Sequence, residues 1–291
     1  MTNDCYPFYF ASDLHGRVET YRKLFSTVMR DTPQALFLGG DLLPSGSLVL
    51  GKSEANENNF IDGFLVAELH QLRAVLKTKF PQIFIILGND DARSEETVIL
   101  QYDRENLWKY LHNRKTSFMG LQVYGYACVP PTPFALKDWE RYDVSHFVDP
   151  GALAPEEGRL TSAASENEIR DHTIQEDLDL LCDGDDLERA VFLFHAPPYQ
   201  TGLDRAALDG RFVDHVPLDT HVGSIAIQRF IQGRQPLITL HGHVHESARL
   251  TGHWQEKIGR TYSFSAAHDG PELALVCFDP AHPEKAVRRL F

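Results

Sequence analysis

Two aspartates, one asparagine and four histidines of this chain stand directly behind short apolar runs. Asp13 and His15 follow Phe8-Tyr9-Phe10-Ala11, and Asp41 follows Ala35-Leu36-Phe37-Leu38. Asn89, with Asp90 and Asp91 after it, follows Ile83-Phe84-Ile85-Ile86-Leu87. His195 ends Val191-Phe192-Leu193-Phe194, and His243 and His245 come after Leu237-Ile238-Thr239-Leu240. Carboxylate, amide and imidazole donors in such a mixture suit divalent transition metals: manganese, iron or zinc, with manganese favoured. Such ions answer a definite chemical problem. A phosphate ester is an anion that water, a poor nucleophile at neutral pH, must attack. Two cations about 3.5–4 Å apart clamp the phosphoryl oxygens and acidify a water bridging them. Cations that close call for an anionic bridge, and Asp41, behind Gly39-Gly40, suits that task.

The apolar runs that carry these residues have the length and polar boundaries of buried strands. In α/β proteins, ligands bind beyond the carboxyl ends of such strands. Residues 17–29 put Val18, Tyr21, Leu24, Phe25 and Val28 on one helical face, so the first two strands and this helix predict a βαβ unit. Further helices are expected over 60–79, 95–111 and 224–232, the last with Ser224 as N-cap and Gly233 as C-cap. Strands are expected over 121–129, 261–266 and 273–278. One domain over 1–291 is expected, with an acidic excursion at about 130–188 that offers a short helix near 169–181. Its loops could cover the site as a lid, or form an acidic solvated surface, and the second reading is preferred.

The formal net charge of −13 sits in that excursion. Between Asp138 and Glu188 there are 16 acidic and 3 basic residues, and the rest of the chain is balanced. The absence of a basic stripe argues against nucleic acid as a partner. The first strand begins within about six residues, which leaves no room for a signal peptide. No apolar stretch approaches the roughly 20 residues of a membrane span. Cys5, Cys128, Cys182 and Cys277 are scattered, with no C-x-x-C pair. These features predict a cytoplasmic protein, and the two-metal chemistry above predicts a small phosphorylated substrate.

In order, the motifs are D-x-H (Asp13, His15), G-D (Gly40, Asp41), G-N-x-D (Gly88, Asn89, Asp91), a single His (His195) and G-H-x-H (Gly242, His243, His245). In this order they resemble the calcineurin-like metallophosphoesterase family. The resemblance implies a four-layer α/β/β/α sandwich with the motifs at one edge. It implies that Asp13, His15 and His245 hold one metal, that Asn89, His195 and His243 hold the other, and that Asp41 bridges. The stretch from His221-Val222-Gly223-Ser224 to His243-Val244-His245-Glu246 looks like a bacterial branch of uncharacterised members. Many members carry His after the G-N pair, where it assists substrate binding or protonates the leaving group. This chain has Asp90 there. An ionised carboxylate donates no proton and repels phosphate. Unless Asp90 replaces that acid, esters with good leaving groups should react best, with a slight preference for phosphodiesters over monoesters.

Each motif has an ordinary alternative. Asp219-Thr220-His221 repeats D-x-H with no apolar run ahead of it, so that pattern alone means little. Asp91 could serve its own turn, His241 could be an orienting partner or a plain strand residue, and Arg17 could meet phosphate or solvent. His221, at a predicted helix N-terminus, is read as a substrate-phosphate contact, and Asn89 as helping to place the phosphoryl group. The competing functions are a nuclease or protein phosphatase on the same metal pair, and a metal-binding scaffold without turnover.

Overall fold

The computed structural model describes residues 6–45, 60–162 and 172–291. Its strands run in chain order as β1 (Phe8–Ala11), β2 (Ala35–Gly39), β3 (Gln82–Ile86), β4 (Lys109–Tyr110), β5 (Arg114–Phe118), β6 (Leu121–Tyr126) and β7 (Ala190–Phe194). A short hairpin, β8 (Phe212–Val213) and β9 (Val216–Pro217), precedes β10 (Ile238–His241), β11 (Gln255–Ile258), β12 (Thr261–Ser265), β13 (Ala274–Phe278) and β14 (Val287–Leu290). The α-helices are α1 (Val18–Asp31), α2 (Ala67–Leu76), α3 (Glu96–Arg104), α4 (Ile174–Leu181), α5 (Ile225–Arg234) and α6 (Ser247–Thr251).

Two six-stranded sheets form the centre. The first has the order β14-β13-β1-β2-β3-β4 and the second β11-β12-β10-β7-β6-β5. In the first, β1 to β4 are parallel, with β13 antiparallel to β1. In the second, β6, β7, β10 and β12 are parallel, with β5 and β11 antiparallel at the two edges. Helices flank the pair of sheets, which is the α/β/β/α sandwich expected from the motifs.

Aromatic rings fill the space between the sheets. Phe37 on β2 stacks on Phe84 on β3 at 5.0 Å, and Phe118 of the second sheet meets Phe84 edge-on at 5.4 Å. Phe264 on β12 reaches Phe278 on β13 at 5.7 Å. Burying each such ring contributes about 1.5–3 kcal/mol. The central strands are buried along their whole length, which is why they read as unbroken apolar runs.

Several expectations need correction. The helix expected over 95–111 stops at Arg104, because Asn106 turns left-handed (φ 57°) and the chain re-enters the first sheet as β4. Trp108 then donates its indole N–H back to the Ile99 carbonyl at 2.9 Å. Helix α5 does not end at Gly233. Gln235 is its left-handed cap, with its amide donating to the Ile231 carbonyl at 2.8 Å. The strand expected over 121–129 ends at Tyr126.

The excursion is only partly a solvated surface. Asp138 and Glu140 are buried, and Glu140 pairs with a fully buried Lys137 at 2.5 Å. Residues 163–171 and most of the 44–59 loop lie outside the described residues, as does Cys5. Cys128, Cys182 and Cys277 are buried free thiols. Among the described residues no helix is long and apolar enough to cross a membrane.

Candidate metal centre

Strands β1, β2 and β3 of the first sheet and β7 and β10 of the second end at the same edge of the sandwich. The chain turns sharply after them. Asp13 (φ 57°), His15 (φ 45°), Asp41 (φ 52°) and His243 (φ 73°) all take left-handed backbone angles, uncommon and costly for residues other than glycine. Backbone bonds hold the turns in place. Asp13 N–H donates to the Gly40 carbonyl at 3.0 Å, and His15 N–H to the Asp41 carbonyl at 2.8 Å. The sheets are tied across the site, since His243 N–H donates to Asp13 Oδ1 at 3.0 Å. Two glycines explain the G-D and G-N pairs. A Cβ on Gly40 would lie 2.6 Å from His195 Nδ1, and one on Gly88 would collide with Asp41 Oδ1.

These turns bring all seven candidate ligands together. Asp13, His15, Asp41 and His245 form one group able to hold a metal ion, and Asp41, His195 and His243 form a second. Within each group the donor atoms lie within 4.8 Å of one another, and Asp41 belongs to both. His15 Nε2 and His245 Nε2 converge to 3.2 Å, and His245 Nε2 lies 3.3 Å from Asp13 Oδ1. His195 donates from Nδ1 to the Gly39 carbonyl at 2.8 Å, which leaves Nε2 facing Asp41 Oδ2 at 3.3 Å and Asn89 Oδ1 at 3.0 Å. A backbone carbonyl fixing one ring nitrogen while the other faces the cluster is the usual support for a metal-binding histidine. The donor set and its spacing fit a pair of divalent cations.

The protonation states of the metal-free cluster follow from the same contacts. Burial alone would lower the pKa of His15 and His195. The carboxylates override it, Asp90 and Asp41 leading at His15 and Asp41 at His195, and raise both to about 9. His243 goes the other way, to about 3, through burial and then the charge of His195. Burial pushes the Asp13 and Asp41 carboxyls up, but the surrounding histidines hold both below the usual carboxylate range.

The neighbouring residues sort themselves by their partners. Asp91 is fully buried and accepts from the backbone N–H groups of Gly88 at 2.9 Å, Leu42 at 3.0 Å and Leu43 at 2.7 Å. It thereby locks the turn after β2 to the turn after β3. Asp90 keeps Oδ2 3.3 Å from His15 Nδ1 and accepts from Ser45 Oγ at 2.8 Å, while its N–H donates to Asp41 Oδ1 at 2.8 Å. His241 lies between the Ala196 carbonyl and Thr239 Oγ1, at 2.8 and 2.7 Å, with both ring nitrogens used. Arg17 braces the carbonyls of Asp13 and Gly270 at 3.0 and 3.1 Å.

His221 is not among the residues that line the cavity over the cluster. Its Nδ1 is engaged by Asp204 Oδ1 at 2.7 Å. The helix terminus it precedes already has an anion, because Asp143 accepts from Ser224 Oγ at 2.5 Å and from Ile225 N–H at 2.7 Å. His221 thus sits apart from the residues lining the cavity, with Asp204 as its partner, while Ser224 caps α5 through Ile227 N–H at 3.0 Å.

A cavity of about 480 Å³ opens over the cluster. Its walls include His15, Asp41, Asn89, Asp90, His243, His245 and Glu246. The excursion adds Phe134, Ala135, Leu136 and Arg159. None of those four stands in a motif, and only the folded chain brings them here.

Comparison with known proteins agrees with this geometry. The profile of the calcineurin-like phosphoesterase family matches residues 6–247. The chain belongs to that family. This calcineurin-like phosphoesterase finds no match among curated protein sequences. Among solved structures it is similar to TT1561 of Thermus thermophilus, at TM-score 0.53 and 15% identity over 97% of both chains. A dimetal phosphatase from Danio rerio gives TM-score 0.53 and 12% identity over 98% of this chain and 96% of that one. A phosphopantetheinyl hydrolase from Mycobacterium tuberculosis gives 0.51 and 11% over 91% and 90%. At these identities the likeness is one of fold. The family is one of phosphoric ester hydrolases that depend on two metal ions and act on phosphorylated substrates.

Proposed function

We propose that this protein hydrolyses a phosphate ester at a pair of divalent cations, manganese foremost. Asp13, His15 and His245 hold one, Asn89, His195 and His243 the other, and Asp41 both. The observation that carries the reading is that Asp41 is common to the two ligand groups. Two bound cations would supply Lewis acidity, polarising the phosphoryl oxygens and lowering the pKa of water.

The chain's own residues do the rest. Gly39 fixes the ring of His195 through its carbonyl, and Asp90 fixes that of His15. Asn89 turns its Oδ1 to the cluster, and its amide nitrogen has no hydrogen bond among the described residues, so it is available to a phosphoryl oxygen. Asp90 acts as an orienting base-side partner of His15 rather than as the leaving-group acid. With no other acid assigned, esters of good leaving groups react best. A diester is favoured over a monoester, because Asp90 and Glu246 line the cavity and a diester brings less negative charge towards them.

The test is hydrolysis of bis(p-nitrophenyl) phosphate and p-nitrophenyl phosphate by metal-free protein titrated with manganese, with Asp41→Asn in parallel. Manganese-dependent turnover, faster on the diester and lost in Asp41→Asn, is expected. Turnover that persists in the variant would overturn the bridging role. Turnover of the monoester alone would overturn the diester preference, and tight metal binding without turnover of either ester would favour a scaffold.

A further inference from the structure

The cavity over the cluster is lined by the acids Asp41, Asp90 and Glu246, and Asp13 stands in the same ligand group as Asp41. Arg159 is the one arginine or lysine among its lining residues. It comes from the segment richest in acids, yet its guanidinium makes no hydrogen bond or ion pair among the described residues. Arg141 of the same segment, by contrast, sits 3.6 Å from Asp177.

The backbone under Arg159 is fixed. Its N–H donates to the Ala135 carbonyl at 2.7 Å, and its carbonyl accepts from Lys137 N–H at 2.9 Å. Lys137 in turn donates to the Thr132 carbonyl at 2.7 Å as well as to Glu140. Trp139 donates its indole N–H to the Asp91 carbonyl at 2.9 Å, and Asp138 accepts from Arg93 N–H at 2.8 Å. The wall is therefore anchored to the turn that carries Asn89 and Asp90. Beside Arg159, Phe134 lines the same cavity with 60% of its surface exposed, and Ala135 and Leu136 continue the apolar strip.

We propose that Arg159 and Phe134 form a specificity wall that selects phosphate esters bearing a second anionic group on an apolar or aromatic body. The proposal rests on the phosphoesterase reading above. Two divalent cations and the four acids Asp13, Asp41, Asp90 and Glu246 leave the loaded cavity near neutral. Bound cations would supply the positive charge for the scissile phosphate, and a second substrate anion meets Arg159. An arginine held on a rigid base suits a planar carboxylate or a phosphate, which it can grip through two parallel N–H donors. The flat face of Phe134 covers the body between the two anions.

Two measurements test it on the manganese-loaded, full-length protein. The first is calorimetric binding of non-hydrolysable phenylphosphonate against its 3- and 4-carboxyphenyl analogues. The second is turnover of the corresponding aryl phosphates, read by phosphate release. Wild type should prefer one of the carboxyphenyl ligands by about tenfold or more, the scale of one charge-assisted hydrogen-bond pair. In Arg159→Ala that preference should fall to near unity, with Arg159→Lys recovering part of it. Phe134→Ala should weaken all three phosphonates by similar factors. Wild type without preference, or Arg159→Ala that retains it, overturns the wall. The phosphoesterase reading fails separately, through the absence of manganese-dependent turnover of the aryl phosphates and of bis(p-nitrophenyl) phosphate alike.

Discussion

The two sheets supply the centre unequally. The first contributes Asp13, Asp41 and Asn89, with His15 as its single imidazole, whereas the second contributes only imidazoles, His195, His243 and His245. The anions thus belong to one layer, and most of the neutral donors to the other. Bonds across the gap, such as His243 N–H to Asp13 Oδ1 at 3.0 Å, make the pairing of sheets a condition of the site. The aromatic core between the layers therefore fixes the distance between oxygen and nitrogen donors as well as stabilising the fold. Asp41 is where the two contributions meet, because it shares donors with both layers.

The sharpest way to break this division is to compare one residue from each side. Asp41→Asn should cost tight binding of both cations, whereas His243→Ala should leave one of them bound. Metal content after gel filtration, measured by elemental analysis, checks the difference. Turnover should drop in both by well over the roughly 10–100-fold that follows loss of a residue merely supporting a ligand. If the two variants lose the same single cation, Asp41 does not bridge.

The same contrast explains what was legible in the sequence. Strands β1, β2, β3, β7 and β10 are buried on both faces, so they appear as apolar runs, and every candidate ligand stands just behind one. The edge strands were not legible. Arg114–Phe118, Gln255–Ile258 and Val287–Leu290 carry charges and exposed positions, the composition that keeps sheet edges from pairing with other chains. The helix expected to run on to 111 shows a related failure. Leu107, Trp108, Tyr110 and Leu111 continue an apolar pattern, but a left-handed Asn106 redirects them into β4. The partner of His221, Asp204, and the Asp143 at the start of α5 are distant in sequence, so neither contact was legible there. Arg159 was silent for the opposite reason: an isolated arginine in an acidic stretch has meaning only once the wall has folded over the cluster.

Protonation sharpens the comparison further. His15 and His195, one from each sheet, are raised to about 9, while His243 is lowered to about 3. At pH 7 the metal-free protein therefore carries protons on the first two and none on the third. Cations bind neutral imidazole, so loading the site must expel those protons. Metal affinity should rise with pH towards about 9 and level off above it. Because the Asp13 carboxylate raises His245 as well, calorimetry in buffers of different ionisation enthalpy should find two or more protons released at pH 7. Asp90→Asn removes the hydrogen-bonding carboxylate at His15 and should reduce that number. Proton-neutral binding at pH 7 would contradict the charge pattern drawn here.

The smallest effect concerns backbone strain inside and outside the centre. Thr32 ends α1 in the same left-handed region (φ 48°) as Asp41 (φ 52°), yet it is not among the candidate ligands. It is β-branched and precedes Pro33, and both features disfavour that conformation. Thr32→Gly should relieve roughly 1 kcal/mol of strain, less part of that for the added freedom of the unfolded chain. A rise in melting temperature of about 1–2 °C is expected for a chain of this size, with metal binding unaffected. Asp41→Gly relieves the same backbone strain but removes the carboxylate shared by the two groups, so it should lose metal whatever it does to stability. If Thr32→Gly instead lowers the melting temperature, left-handed angles in this fold are held by their surroundings at little cost. The cluster of four at the metal centre would then reflect loop geometry rather than strain retained for function.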